Sequence, residues 1–550
     1  MPITPTYPGI YIQELPSSSH TITAAPTSIT VFVGYTHPFK TQPASFGVPV
    51  EIFSFSDYEA QFGGFFRSSV VDGNVARAVN DFFLNGGAHA YVVSANAKPG
   101  AAESALAYSQ SNGGDQTVGD NRGAVAAATW DFGPGTVLFT ALEPVDTPAT
   151  ATSPGTAMTI TISNVQKTLI DNDTADIAIA YGNRSETFRK VLISATDPAV
   201  LNSRINGISA LVKVAPSPPA TNYPSTFPAG GGKKTLSESP PIGTVGVFKR
   251  EDFNPAFDVD GPLDKLPVFN LMVIPGIVNN GVLSEALAFC ERKQAFFIMD
   301  PPAIDNADGA SLDYVGKFID QNGTGDSKTN LAPLSQNGAL YFPYLKTSDP
   351  LSGQPIASPP SGFVAGIYAR TDTNRGVWKA PAGLETTILD TTGVVDTGRM
   401  TDPRQGDLNN RGVNCLRSFS TGTVVFGART LVSANKAFEQ WKYVPVRRMT
   451  LFIEQTLLEN LKWVIFEPND TPLWVAIRTT IDNFMLGLFN QGAFQGATPS
   501  QAFQVKCDST TTTQSDIDNG IVNIVVAFAP LKPAEFVIIK IAQLAGQAQQ

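Results

Sequence analysis

Segments of two different periodicities follow one another near the start of the chain. Residues 27–35 (TSITVFVGY) and 89–94 (HAYVVS) are rich in β-branched and aromatic residues and predict strands. Between them, Val75, Val79 and Phe82 recur at helical spacing, and the Gly-Gly pair that follows predicts the end of a helix. Strand, helix and strand joined by short connections predict an α/β layer.

The same order returns in the middle of the chain. Residues 268–274 and 295–299 predict two strands, and residues 283–294 between them have the pattern of a helix. These segments predict a βαβ unit. Residues 343–383 are dense in Pro and Gly, which predicts an ordered connector rather than a helix or a strand.

The C-terminal part of the chain has the clearest helical patterns. Thr471 followed by Pro472 predicts the start of one helix, and Gly492 predicts its end. Residues 521–528 and 535–541 are near-continuous apolar runs and predict two strands that need cover on both faces. Two helical stripes are predicted, one formed by Met449, Phe452, Ile453, Leu457, Leu461 and Val464, the other by Trp474, Ile477, Ile481, Phe484 and Leu488.

The N-terminal residues cannot form a helix, because five of the first 26 residues are proline. Gly9–Leu15 predicts one short strand with no neighbour within hairpin reach. Unless this segment is a disordered tail, its strand must pair with a distant sheet or with the sheet edge of another molecule. Residues 96–235 are rich in Ala, Ser, Thr, Gly and Pro with short β-like runs, and predict an inserted, mostly β domain on flexible joints.

Charged residues are scarce. The 550 residues include 38 basic and 48 acidic ones, or 16 % charged, where soluble proteins average about 25 %. The net charge of −10 and the lack of a basic stripe argue against nucleic acid as a partner. No apolar run approaches the roughly 20 residues of a membrane-spanning helix, and no secretory signal is recognisable, so a cytoplasmic protein without direct membrane insertion is expected.

Candidate catalytic residues are few. Cys290, Cys415 and Cys507 are far apart with no CxxC pair, and we expect them to pack as small apolar residues. The three histidines lack metal-ligand spacing. Asp300 ends a predicted strand, where α/β enzymes place catalytic groups, but the two prolines that follow it favour a turn cap.

A glycine-rich run at residues 230–235 (GGGKKT) matches a phosphate-binding loop only in part. Phe227 stands where that motif has its first glycine, and Lys234 stands where it has Ser or Thr. A solvated linker is therefore the favoured interpretation. Since nucleophile-elbow, zinc-hydrolase and dinucleotide motifs are also missing, we predict no catalytic residue, metal site or cofactor, and no enzyme activity.

A small basic cluster precedes the Met449 helix in this otherwise acidic chain. It consists of Lys442, Arg447 and Arg448. These side chains either face water or bind an acidic partner, to which arginine makes bidentate contacts.

Motifs along most of the chain resemble those of contractile-tail sheath proteins, the subunits of phage tails, tailocins and extracellular injection systems. They are long, and they occur in the same order as in that family. The matching residues are Tyr7–Ile12 and Glu14, 27–28, 32–34, 82–83 with 85–87, 298–302 (IMDPP), 359–362, 365–372, 375–381 (RGVWKAP), 452–454, 466–470 (FEPND), 473–474, Phe503, Val505, Cys507, Asp508 and 533–537.

The resemblance implies a subunit of a helical tube of stacked hexameric rings that surrounds an inner tube and contracts to drive it through a target membrane. Its expected partners are further copies of itself, the inner tube protein, and baseplate and terminator (cap) proteins. It would be made in the cytoplasm of the producing bacterium and assembled into a phage tail or injection particle. Lys442, Arg447 and Arg448 become candidates for contact with the tube.

Terminal segments of neighbouring subunits join one sheet of a third subunit in this family. The resemblance therefore implies an N-terminal strand arm formed by Tyr7, Gly9, Ile10, Tyr11, Ile12 and Glu14, and a C-terminal strand arm formed by Glu535, Phe536, Val537, Ile538 and Ile539.

A multidomain α/β (mixed α+β) fold is expected, with an inserted mostly β outer domain and two extended arms. The expected segments are an N-terminal arm (1–26), two parts of the α/β core (27–95 and 236–400), the variable outer domain between them (96–235), a tube-facing domain (401–530) and a C-terminal strand and tail (531–550).

Two alternatives remain open. A non-contractile tube or shell protein would use the same arms only to lock subunits together. An enzyme would use the α/β layer, with Asp300 as its catalytic group.

Overall fold

A computed structural model gives the fold of the chain. The described residues are 21–37, 40–66, 73–95, 129–131, 137–141, 158–167, 173–181, 184–193, 199–206, 208–216, 221, 223, 227, 230–236, 252–303, 315, 318–319, 332–351, 353–395 and 400–540.

The strands are β1 (Thr30–Gly34), β2 (Pro49–Ile52), β3 (Ala90–Ser94), β4 (Thr129–Asp131), β5 (Val137–Ala141), β6 (Met158–Gln166), β7 (Thr174–Tyr181), β8 (Arg184–Leu192), β9 (Val212–Pro216), β10 (Gly232–Leu236), β11 (Leu271–Val273), β12 (Phe296–Met299), β13 (Gly338–Phe342), β14 (Leu345–Ser348), β15 (Pro355–Ser358), β16 (Gly393–Val394), β17 (Val413–Phe419), β18 (Gly422–Val425), β19 (Phe503–Lys506) and β20 (Val525–Phe528).

The α-helices are α1 (Phe55–Phe62), α2 (Asn74–Leu84), α3 (Ala199–Ile205), α4 (Asn254–Phe257), α5 (Asn280–Arg292), α6 (Ser361–Arg375), α7 (Asp402–Asn410), α8 (Val444–Asn460), α9 (Thr471–Asn490), α10 (Pro499–Ala502) and α11 (Gln514–Asp518). Short 3₁₀ helices occur at Pro43–Ser45, Lys436–Trp441 and Lys462–Val464.

The chain forms two compact units. The larger unit lies within Pro26–Arg375 and Ala380–Arg447. The smaller unit comprises the described residues of Met1–Ala25, Gly376–Lys379 and Arg448–Gln550. The mixed α/β multidomain fold expected from the sequence is confirmed.

An eight-stranded sheet forms the centre of the larger unit, in the order β18-β17-β13-β12-β11-β1-β3-β2. Neighbouring strands from β17 to β3 are parallel, and the edge strands β2 and β18 are antiparallel. The predicted strands at 27–35, 89–94, 268–274 and 295–299 are β1, β3, β11 and β12, and the helices predicted between them are α2 and α5.

Helices cover this sheet on both faces, as buried parallel strands require. Side chains of a strand alternate between the two faces. The ring of Phe32 on β1 meets that of Phe82 on α2, with 5.5 Å between centroids. The next side chain, Val33, instead joins the apolar cluster that contains Leu287 of α5.

The described residues between 129 and 236 form the β-rich segment. Its sheets have the orders β10-β6-β7-β8 and β4-β5-β9, and they share one apolar cluster. This composition agrees with the predicted mostly β insertion, whose boundaries and outward position stay predictions. One detail is wrong, because residues 232–235 of the GGGKKT run belong to β10, paired with β6, rather than to a linker.

The prediction of a connector at residues 343–383 is wrong. This stretch contains β14, β15 and the helix α6, whose first nine residues are all buried. Its glycines permit close packing against α2. A Cβ on Gly362 would lie 2.5 Å from the Ala78 Cα, and a Cβ on Gly366 would lie 2.6 Å from the Phe82 carbonyl oxygen. The glycines that suggested a connector are therefore residues that a buried, closely packed helix needs.

The smaller unit is built on α8 and α9. Asp470, rather than Thr471, caps α9 by accepting a hydrogen bond from the Leu473 N–H at 3.2 Å. The predicted stripes are mostly buried in one cluster, although α8 ends at Asn460, so that Leu461 and Val464 lie beyond the α-helix. Val377 and Trp378 pack against the same cluster.

We predict opposite effects for two helical glycines of the larger unit. Gly362→Ala should lower the free energy of unfolding by about 2 kcal/mol, because the new methyl group overlaps the α2 backbone. Gly406→Ala in α7, where nothing lies within 4 Å, should raise it by roughly 0.5–1 kcal/mol through helix propensity. Urea unfolding of both variants measures these changes, and equal stability would contradict the close contact between α2 and α6.

Candidate assembly surfaces

A two-stranded antiparallel sheet lies in the smaller unit. Phe503 of β19 pairs with Phe528 of β20. Phe503 and Val505 pack toward the apolar cluster, whereas Gln504 and Lys506 are exposed. Within the described chain each strand has one partner, so the outer edges of both strands are open to a further strand.

The C-terminal segment carries a run of exposed apolar side chains. Phe536, Val537, Ile538 and Ile539 are 72, 80, 81 and 79 % exposed. Residues 531–540 form neither helix nor strand, so the strand predicted at 535–541 is wrong for the described part of this segment in the single chain. A strand needs a ladder partner, and among the described residues none pairs with this segment as a strand. Contiguous exposed apolar residues mark an interaction site.

The N-terminal segment enters the described structure beside the end of α8. The Asn460 side chain clamps the backbone of Thr23, accepting from its N–H at 2.9 Å and donating to its carbonyl at 2.8 Å. The Ala25 N–H donates to Thr456 Oγ1 at 3.1 Å. The predicted arm residues Tyr7, Gly9, Ile10, Tyr11, Ile12 and Glu14 lie outside the described residues.

The predicted basic cluster divides by exposure. Lys442 is half-buried, but Arg447 and Arg448 are only 8 and 4 % exposed. The Arg447 guanidinium donates from Nε to Asn337 Oδ1 at 2.9 Å and lies 4.9 Å from the Trp441 ring centroid. Burial weighs against direct contact of both arginines with a partner, so a tube contact stays a prediction that now depends mainly on Lys442.

Phe466, the first residue of the FEPND motif, is an exposed residue to which the sequence analysis assigned no contact. It is fully exposed at φ 71°, a left-handed conformation uncommon for an aromatic residue. Its loop is held in place by Asn469, which donates to the Ile521 carbonyl at 3.0 Å and accepts from the Trp474 indole N–H at 2.9 Å. The sequence signal for its exposure was its position, since Phe466 follows Val464, the last apolar residue of the predicted stripe.

Asp300 caps the start of α6 rather than the turn predicted from the prolines that follow it, and it is buried rather than open to a substrate. Its carboxylate accepts hydrogen bonds from the Gly276 N–H (2.8 Å), the Ser361 N–H (2.8 Å) and the Ser361 hydroxyl (2.6 Å). Ser361 is the first residue of α6, where a carboxylate also meets the positive end of the helix dipole. Burial nevertheless raises the pKa of Asp300 to about 6.

The remaining candidate groups are structural in the described part of the chain. Cys290, Cys415 and Cys507 are buried free thiols, and burial raises the pKa of Cys415 to about 12. His89 lies 2.9 Å from Glu51 on the surface. Among the described residues, no group of three or more His, Cys, Asp or Glu is placed to hold a metal ion, and no helix is both long and apolar enough to span a membrane.

Two family profiles match the chain and together span half of it. The phage tail sheath protein central domain matches residues 264–431, and the phage tail sheath C-terminal domain matches residues 437–543.

Individual relatives are similar over variable lengths. A prophage protein of Pseudomonas aeruginosa (strain UCBPP-PA14), named as a major tail sheath protein, is 26 % identical over 48 % of this chain and 62 % of its own length, less than two thirds. The tail sheath protein of Burkholderia phage BcepMu is 24 % identical over 70 % of this chain and 77 % of its own. The helical sheath of the anti-feeding prophage in its contracted state has the same fold, with TM-score 0.54 and 22 % identity over 98 % of this chain and all of that chain.

The raised pKa of Asp300 predicts a pH-dependent contribution to stability. The folded state holds the proton more tightly than the unfolded state, so this contribution is present below about pH 4 and is lost as pH rises to about 6. The expected total is about 3 kcal/mol for a shift of this size. Asp300→Asn, which does not titrate, should lack this slope. Urea unfolding of both proteins from pH 4 to 7 measures the difference, and parallel curves would contradict the assignment.

Proposed function

This chain belongs to the phage tail sheath family, and from that membership we propose that it is the repeating structural subunit of a contractile sheath. Copies assemble as stacked hexameric rings in a helical tube around an inner tube, and contraction drives the inner tube through a target membrane. The observation that carries the proposal is that one chain has both an exposed apolar C-terminal segment and a small sheet whose two edges are open among the described residues.

Strand addition links the copies in this proposal. The C-terminal segment of one copy pairs with an open edge of the β19–β20 sheet in another, and the N-terminal arm pairs with the remaining edge. Donor and acceptor are different surfaces of the same chain. Such a head-to-tail contact repeats without limit and generates a helical filament when it does not close into a ring.

Burial of the C-terminal side chains gives each link a substantial free energy. A fully buried Phe, Val or Ile side chain contributes about 1.5–3 kcal/mol relative to its exposed state. Four such residues, together with new backbone hydrogen bonds, make a link strong enough to persist while the rest of the subunit reorients. Rings joined in this way can turn and slide without separating.

Contraction in this proposal uses energy stored during assembly. Subunits assembled in a metastable extended state release a small free energy each when they rearrange, and the sum over many subunits drives the tube. A kinetic barrier holds the loaded state. The scarcity of charge fits this role, because subunits of such a polymer bury much of their surface in contacts whose cores are depleted of charged residues.

Contacts with other components are part of the same proposal. Lys442 is the accessible member of the basic cluster and the candidate for contact with an acidic inner tube. Baseplate and terminator proteins bind the two ends of the sheath. The protein is made in the cytoplasm and becomes part of a phage tail or injection particle.

Removal of the N-terminal arm tests the proposal. A chain lacking residues 1–16 retains the Thr23 and Ala25 contacts to α8, so it should fold with the circular dichroism spectrum of the full chain. It should form no tubes in negative-stain electron microscopy because one strand of each link is missing. Normal tubes from the deletion variant would contradict the proposal. If the full-length protein forms tubes of only one length and diameter, a non-contractile shell would be favoured instead.

The C-terminal arm gives a second, independent test. Phe536→Ser with Ile538→Ser should change the free energy of unfolding by less than about 0.5 kcal/mol, because both side chains are exposed in the single chain. Tube yield in sedimentation assays should fall at least tenfold. Val259→Ser, which alters a 69 % exposed residue of the larger unit, is the matched control and should assemble normally. Equal yields for all three proteins would contradict strand donation.

A further inference from the structure

One side chain at the end of α8 holds the backbone of the N-terminal segment. The Asn460 carboxamide accepts from the Thr23 N–H at 2.9 Å and donates to the Thr23 carbonyl at 2.8 Å. The same amide nitrogen donates to the Thr456 carbonyl, one turn back on α8, also at 2.8 Å. Turning the amide over would set its N–H groups against the Thr23 N–H, so these three hydrogen bonds fix its orientation.

Two further contacts hold the same stretch of chain. The Ala25 N–H donates to Oγ1 of Thr456 at 3.1 Å, and Thr456 is completely buried. Ile22 packs against the apolar cluster of the smaller unit. Residues 22–25 with these contacts are the arm root. The arm root therefore belongs to the smaller unit, as do the β19–β20 sheet and the C-terminal segment.

We propose that Asn460 is a positioning residue for assembly, because it fixes the point from which the N-terminal arm reaches another copy. The inference rests on the proposed function, in which that arm pairs with a sheet edge of a second copy. Pairing costs less conformational entropy when the arm starts from a fixed point, since its strand then searches a smaller volume. Thr456 supports the same arm root through Ala25.

The size of the effect follows from the length of chain between the predicted strand at 9–15 and its first fixed residue. With the arm root held at Thr23, that length is the seven residues 16–22. With the arm root released it is at most 13 residues, 16–28, because the Ile29 N–H donates to Asn270 Oδ1 at 3.0 Å. Effective concentration falls as about the −3/2 power of length, so each link weakens about twofold from length alone.

The mobility of a spin label tests the hold on the arm root in the full chain, below the concentration at which tubes form. A nitroxide is placed at Thr21→Cys, and a second chain carries it at Gln491→Cys, after α9 of the same unit. Both positions are exposed, and the three native cysteines are buried. Asn460→Ala combined with Thr456→Val should narrow the spectrum at position 21 and leave the spectrum at position 491 unchanged.

Sedimentation measures the consequence for assembly. The lowest protein concentration that gives tubes should rise at least about twofold in the double variant, and less in either single variant. Asn519→Ala is the matched control. Asn519 also ends a helix, α11, and donates to a carbonyl of that helix, that of Ser515, at 2.7 Å. This control should form tubes at the parental concentration.

Four outcomes count against the positioning role while leaving the sheath proposal intact. The label at position 21 stays as immobile in the double variant as in the parent, or the labels at both positions become mobile, which indicates general loosening of the unit. The double variant assembles at the parental concentration although its arm root is released, or Asn519→Ala raises that concentration equally. If the parent chain forms no tubes, the proposed function fails and this inference fails with it.

Discussion

A β-strand is stable only when its backbone N–H and C=O groups find a neighbouring strand, and this constraint organises the molecule. In the central sheet of the larger unit the six inner strands each have a neighbour on both sides, and only β2 and β18 are edge strands. Its edge strand β18 is covered in part by the bridge between Thr387 and Val424. The smaller unit does not meet it in the single chain, since β19 and β20 each have one partner among the described residues. The apolar C-terminal segment has the composition of a strand without a ladder to join.

The same constraint explains how a stable subunit can belong to a movable assembly. In the larger unit α6 packs closely on α2, because Gly362 and Gly366 leave no room for a side chain at this contact. Asp300, at the end of β12, accepts two hydrogen bonds from Ser361 at the start of α6 and one from Gly276, which follows β11. The proposed links between copies use short terminal strands instead. Rigid bodies joined by such strands can change their relative orientation while every backbone pairing is preserved.

Sequence patterns predicted the parts of the fold that follow local periodicity. The helices α2, α5 and α9 were recognisable because their apolar residues repeat at helical spacing. The strands β1 and β3 were recognisable because they are short runs of β-branched and aromatic residues. The sequence did not predict α6 as a helix. Its first nine residues are all buried, so it has no polar face there, and the glycines that allow close contact with α2 resemble the glycines of a turn. The strand predicted at 535–541 is absent from the described residues of the single chain. Its apolar pattern indicates that these side chains need to be buried, but not whether the same chain or another molecule buries them.

The candidate surfaces were predicted less well than the fold, for a related reason. The two arms stay predictions, based on strand-like segments without a local partner, a feature that is visible in a sequence. The exposure of a side chain is not visible in a sequence. The sequence therefore predicts Arg447 and Arg448 as surface charges, although both are buried. Phe466 was overlooked because a fully exposed aromatic residue in a left-handed conformation has no periodic signature.

Buried ionisable groups in the larger unit act in opposite directions on its stability as pH falls. Burial raises the pKa of Asp300 to about 6, and burial and Asp390 raise the pKa of Asp81, so both carboxyl groups favour the folded state as pH falls. His37, whose pKa burial and two cations lower to about 3, disfavours it over nearly the same range. The carboxyl groups lie at α2 and at the β12–α6 connection, within the covered sheet. The opposing term arises at His37, whose ring packs on Phe66. The two kinds of group offset each other, so the stability of the unit changes less between pH 6 and pH 4 than either kind alone would make it change.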